Sequence, residues 1–175
     1  MMTVFGENNE DFKPLIRYGL KIPGYYATRD GRIYSAKRHK FISQFTSSNY
    51  HEKNFGKKYL ACSLSLPKDF FLNNMGSKHN YFVPHFKKNS FNIKVEVHRL
   101  IAETFIPIDE NPPIPMEDWI KTPESAKQFI RESAVVDHIE PDTSNNSADN
   151  LRWVTPRQNN TYRKKQELEL QKNGQ

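Results

Sequence analysis

Residues 134–159 leave the chain little choice of backbone. Ala134-Val-Val-Asp-His-Ile139 is a short apolar, β-branched run that ends on two polar groups, which predicts a strand. A stretch of Asp, Thr, Ser and Asn follows through Asn150, residues whose short side chains favour loops. Leu151-Arg-Trp-Val154 predicts a second short strand. Thr155-Pro-Arg-Gln158 then reads as a helix start: Thr155 can cap it, proline suits the first helical position, and Gln158 can complete a capping box. Asn159 falls at about the fourth helical position. The order is strand, loop, strand, helix: a ββα unit.

Upstream, Lys21–Ser35 predicts a hairpin, because Asp30-Gly31 is a strong tight-turn signal between β-prone residues. Further strand-like pieces lie at Tyr59–Leu66 and Tyr81–Val83, and Phe71–Asn80 is expected as a loop. Val95 and Val97 alternate as in a strand; Leu100, Ile101 and Phe105 then recur at helical spacing until Pro107 stops the helix. Residues 107–118, rich in proline and acid, read as an ordered loop or an arm. Thr122-Pro-Glu-Ser starts a helix running to about Arg131. The fold class expected is α+β, with a β-rich region over 1–93 and a second region over 94–175 that carries an insertion at about 107–133.

Charge is uneven along the chain. Residues 36–108 carry 12 basic and 4 acidic side chains, whereas residues 109–149 carry 3 and 10. A basic region next to an acidic block suits a polyanion held around a metal-binding centre. Arg32, Lys37, Arg38 and Lys40 follow the predicted turn, and Lys53, Lys57, Lys58, Lys87 and Lys88 continue the basic region with Tyr50, Phe55, Tyr59 and Phe86 interleaved. Contact with a phosphate backbone is the expectation for this region. Cys62 is the only cysteine, which excludes an internal disulfide and a cysteine-based zinc cluster. No apolar run approaches the roughly 18 residues needed to span a membrane. The first residues have no basic start and no apolar core, so the reading places the protein in the cytoplasm. Asp142–Asp149 lacks the glycine and terminal glutamate of a calcium-binding EF-hand.

Val136-Asp-His138, Asn145-Asn146, Asp149-Asn-Leu-Arg-Trp-Val-Thr155 and Asn159 together resemble the HNH motif. They are most similar to the branch found in phage homing endonucleases, encoded within introns or standing free between genes. His98–Pro107, with Glu110-Asn-Pro112 after it, resembles the same branch. Ile22-Pro-Gly-Tyr-Tyr26 with Asp30–Ser35 is similar to a DNA-binding module often placed before the nuclease. The resemblance implies a nuclease region over 94–175 and a DNA-binding region over 1–93. It implies that Asp137 and Asn159 hold one Mg²⁺ or Mn²⁺ and that His138 is the general base. Asn150, the middle asparagine, is expected to be mainly structural, its amide tying the loop to the hairpin and orienting His138.

The residue types suit that chemistry. A histidine has an ordinary pKa near 6.5 and can take a proton from water at neutral pH. A hard cation prefers oxygen ligands, and the scissile phosphate would complete so sparse a shell. The implied partner is double-stranded DNA, contacted by Arg32, Lys37, Arg38, Lys57, Lys58, Lys87, Lys88, Arg152 and Arg163. Arg163 stands where some HNH enzymes carry a further histidine. His98 is expected to be structural or to touch DNA, and Trp153 to lie in the core. One site per chain favours nicking unless the protein dimerises; monomer and homodimer both remain open. The rival reading is a DNA-binding protein on a degenerate HNH fold, and a third is a restriction or defence nuclease.

Overall fold

A computed structural model describes residues 12–46, 59–76, 78, 82–85 and 89–172. The first sheet is antiparallel, with β1 (Phe12–Arg17), β2 (Leu20–Thr28), β3 (Ile33–Ser35) and β4 (Lys40–Phe41) side by side in that order. The β2–β3 hairpin turns at Asp30-Gly31, where Gly31 takes φ +97°, a conformation open to glycine and strained for other residues. A 3₁₀ turn at Ala36–Arg38 leads into β4.

A second sheet comprises β5 (Phe45–Thr46), β6 (Leu60–Pro67), β7 (Phe82–His85) and β8 (Ser90–Glu96), in the order β5-β6-β8-β7. Alternation decides its inner face: Phe91, Ile93 and Val95 of β8 are buried, as are Leu64 and Leu66 of β6. Cys62 sits in this core, and burial pushes its thiol up to about 12.

Between β6 and β7 the expected loop at Phe71–Asn80 is partly replaced by α1 (Lys68–Asn74). Phe71 and Met75, four residues apart, are both fully buried. That i,i+4 apolar pair outweighs the weak helix propensity of Asn73 and Asn74. Asp69 lies in the first turn, where a negative charge complements the helix dipole.

Helix α2 (Val97–Phe105) is the hub of the molecule. It packs against β1, β2, β6 and β8, and also against β9 (Val135–His138) and β10 (Leu151–Val154). Seven of its nine residues are buried, from Val97 to Phe105. Arg17 of β1 forms an ion pair with Glu103, whose carboxylate also accepts the Tyr18 N–H. Burial pushes Glu103 up despite that partner. One hydrophobic cluster runs from Leu15 and Ile33 through Leu64 and Ile101 to Leu151. It crosses the 93/94 division, which falls inside β8.

After α2, helix α3 (Met116–Lys121) begins at the end of the segment expected as an ordered loop or an arm, and α4 (Glu124–Ser133) follows where a helix was expected. Trp119 is 3% exposed and anchors α3. Lys127 and Arg131 of α4 lie over its ring at 5.4 and 5.6 Å. Arg131 also binds Asp109 and Glu124, closing the insertion on itself. The chain then enters β9, β10 and the terminal helix α5 (Pro156–Lys172). None of the helices among the described residues is long and apolar enough to cross a membrane.

Candidate active site

β9 and β10 pair antiparallel, with Leu151 opposite His138 and Arg152 opposite Asp137. Successive side chains of a strand point to opposite faces, so His138 turns inward and is 5% exposed. Asp137 turns the other way, toward Arg152. Arg152 places both of its bonds on Oδ2, from Nε at 3.0 Å and Nη2 at 2.8 Å. Its guanidinium also stacks on Tyr162 of α5 at 3.8 Å. Asp137 Oδ1 accepts no hydrogen bond among the described residues.

The loop between the strands is closed by Asn150. Its Oδ1 accepts the Glu140 N–H at 2.8 Å, and its Nδ2 donates to the Asn145 carbonyl at 2.9 Å. Inside the loop Asn146 is 3% exposed, and its Oδ1 lies 3.0 Å from His138 Nε2. An amide oxygen only accepts, so Nε2 carries a hydrogen.

Two further rings wall the His138 imidazole. Tyr59 packs 5.8 Å from His138 and 4.9 Å from His98, and the two histidines are 5.3 Å apart. Burial, then the charges of His138, Arg99 and Arg17, hold His98 well below its ordinary value of 6.5. Burial, with Asp137 and Glu96 nearby, pushes the Tyr59 phenol up. Both are therefore neutral near pH 7. At 4% exposure His98 occupies a structural position rather than a DNA-facing one.

The expected capping box forms at the start of α5: the Gln158 N–H donates to Thr155 Oγ1 at 3.2 Å, and the Thr155 N–H to Gln158 Oε1 at 2.7 Å. That fixes the helical register. Thr155, Gln158, Asn159, Tyr162 and Arg163 are half-buried, whereas Arg157, Asn160, Thr161 and Lys164 are exposed. Spaced at i, i+3, i+4, i+7 and i+8, the first set forms the face turned to the hairpin, with Asn159 on it and Asn160 off it.

The ββα unit places Asp137 and His138 on β9, Asn150 just before β10 and Arg152 within it, and Asn159 and Arg163 on the half-buried face of α5, which packs on both strands. Arg152, expected to touch DNA, pairs with Asp137. Arg32, Lys37 and Arg38 are exposed on the first sheet, Arg32 paired with Asp30 and lying over the Phe41 ring. Lys57, Lys58, Lys87 and Lys88 lie outside the described residues. No role was read from the sequence for Asn146 as partner of His138, or for Tyr59 as its ring neighbour. The only available signal was the Asn145-Asn146 pair in the polar loop.

No group of three or more His, Cys, Asp or Glu able to hold a metal exists among the described residues. A cation here would rely on the unbonded Oδ1 of Asp137 and on the amide oxygen of Asn159, a hard donor set that fits Mg²⁺ or Mn²⁺.

A two-stranded hairpin with an asparagine-closed loop, an imidazole and a carboxylate at its first strand's end and a capped helix across it defines a ββα-type protein. Residues 95–161 match the family model described as HNH endonuclease, and the chain carries an HNH endonuclease domain. No curated protein matches the sequence. A solved structure described as "DNA binding and cleavage by the HNH homing endonuclease I-HmuI" is similar, with a TM-score of 0.50 at 20% identity. The similarity covers 89% of this chain and 59% of that one, and at such identity it is a likeness of fold.

The buried His98 predicts an acid-labile core. Unfolding returns His98 to its ordinary value of 6.5, so the unfolded state takes up the proton first as pH falls. Its contribution is complete above that value and is lost below it, by up to about 1.4 kcal/mol per pH unit. Urea unfolding at about pH 7.5 and about pH 5.5 should show wild type losing more stability than His98→Phe does. Equal losses in the two proteins would refute the assignment.

Proposed function

We propose that the chain is a metal-dependent endonuclease that hydrolyses phosphodiester bonds in double-stranded DNA, of the homing or nicking type. One observation carries the reading: within the segment that matches the HNH endonuclease model, a buried imidazole held through Nε2 stands next to a carboxylate whose Oδ1 takes no bond from the described residues. His138 Nδ1 takes the proton from the attacking water. Asp137 Oδ1 and the Asn159 amide oxygen hold one Mg²⁺ or Mn²⁺ per site. When bound, that ion stabilises the charge developing on the phosphate and on the 3′ leaving oxygen.

The other residues position these groups. Arg152 holds Oδ2 of Asp137 and so keeps Oδ1 directed away from the guanidinium. Asn150 keeps the loop closed over His138. Arg163 lies on the hairpin-facing side of α5, within reach of a phosphate in this reading. Arg32, Lys37 and Arg38, with Lys57, Lys58, Lys87 and Lys88, run along the DNA backbone. The products are a 5′ phosphate and a 3′ hydroxyl, and a single site per chain favours nicks unless the protein dimerises.

The test is a supercoiled plasmid library carrying random inserts, incubated with Mg²⁺ or Mn²⁺. Open circles should form and should be abolished by EDTA. Intact supercoils with both ions, or nicking that survives EDTA, would overturn the proposal; the first result would leave a DNA-binding protein.

A further inference from the structure

We infer that the β2–β3 turn belongs to the active site: Gly31, packed against Asn146, is a positioning residue that sets the orientation of His138. The inference rests on the endonuclease reading above and adds to it a part for the first sheet, which lies wholly outside the matched domain.

The contact leaves no room for a side chain at residue 31. A Cβ built on Gly31 would lie 2.9 Å from both the carbonyl carbon and the oxygen of Asn146, and 3.1 Å from its Cβ. The turn is itself fixed: the Gly31 N–H donates to the Thr28 carbonyl at 3.0 Å, and Gln44 Nε2 donates to the Gly31 carbonyl at 2.8 Å. The same turn follows the loop further. The Ala148 N–H donates to the Arg29 carbonyl at 2.9 Å, and Arg29 pairs with Asp149 at 2.6 Å. Asn146 is thus braced through its backbone on one side, while its side-chain oxygen holds His138 Nε2 on the other.

The consequence is mechanical. Backbone cannot yield as a flexible side chain does, so a methyl group at residue 31 pushes the Asn146 backbone away from the turn. The amide moves with it, and the imidazole loses the acceptor that fixes its tautomer and its rotation. A misplacement of about 1 Å in a reacting group can cost about 100-fold in rate.

Gly31→Ala also carries the strain of φ +97°, and a second glycine separates the effects. Gly19 has φ +74°, and no atom of the described residues lies within 4 Å of a Cβ built on it. Gly19→Ala therefore imposes the backbone strain without the collision. At residue 146, Asn146→Asp keeps an acceptor oxygen and Asn146→Leu removes it at similar volume.

The experiment measures nicking by the full chain on a cleaved plasmid, with melting temperature as a fold control. Gly31→Ala and Asn146→Leu should lower kcat by about 10- to 100-fold with KM for DNA nearly unchanged. Asn146→Asp should recover most of the loss, and Gly19→Ala should match wild type. Nitrogen NMR of the His138 ring gives a readout independent of turnover: an Nε2–H tautomer in wild type and a mixture in Asn146→Leu. Wild-type kcat in Gly31→Ala or Asn146→Leu, where His138→Ala is inactive, would overturn the inference. So would equal losses in Asn146→Leu and Asn146→Asp, or in Gly31→Ala and Gly19→Ala. Should the wild type cut no DNA, the endonuclease reading fails, and an unchanged tautomer in Asn146→Leu would still sink the positioning role separately.

Discussion

His138→Ala should lower the rate of DNA cleavage by at least about 100-fold, the usual scale for loss of a general base. DNA affinity should change little, because a side chain 5% exposed offers almost no surface to a polyanion. Alanine also removes a ring that packs on Tyr59 and His98, so some stability will be lost with it. Activity must therefore be compared below the melting temperature of the variant, and binding measured on the same preparation by fluorescence anisotropy. His138→Ala cutting at near wild-type rate would remove the base from the mechanism. A variant that neither binds nor melts cooperatively would report only on folding, so His138→Asn, which keeps a polar group beside Asn146, serves as the second test. It should also be inactive, since an amide cannot take up the proton at neutral pH.

The parts of the fold legible in the sequence were those written in local chemistry. The Asp30-Gly31 turn, the β8-to-α2 change of period and the Thr155–Gln158 capping box each depend on a few adjacent residues, and each appears where the pattern places it. α1 and α3 were missed because polar and proline-rich surroundings hid a single buried side chain in each, Phe71 and Trp119. What holds those helices is packing against residues distant in sequence, to which local propensity is blind. The same holds for the one core that joins both sheets through α2, since Arg17–Glu103 and Ile16–Thr104 link residues more than 80 positions apart.

The candidate site divides along the same line. The strand end with Asp137 and His138 and the helical register at Asn159 follow from pattern. The partners of those residues do not. Asn146 reaches His138 only once the loop closes on Asn150, and Gly31 meets Asn146 only because the first sheet docks beside that loop. Arg152 looked like one more cation for DNA; the antiparallel register places it opposite Asp137, where a carboxylate is its nearest counter-charge.

That register also sharpens the expected behaviour of the metal site. Asp137→Ala should abolish cleavage and cation binding in the DNA complex, because it removes the one charged ligand of the proposed site. A bound cation contributes several kcal/mol of charge stabilisation, so the loss in rate should be at least about 100-fold. Arg152 loses its partner in the same variant, and Arg152→Ala separates the two effects: it should retain cation binding where Asp137→Ala does not. Asn159→Ala should be nearly as inactive as Asp137→Ala, whereas Asn159→Asp keeps an oxygen in place and should retain the ion even if turnover falls. Asn160→Ala should lose far less, since Asn160 is exposed and Asn159 sits on the half-buried face with Gln158 and Tyr162. Mn²⁺ binding to each protein–DNA complex, followed by electron paramagnetic resonance, reads the ligand role directly, and plasmid nicking reads the chemistry. An inactive Asn160→Ala beside an active Asn159→Ala would mean that the metal-facing side of α5 is displaced by one residue from the face defined by the capping box.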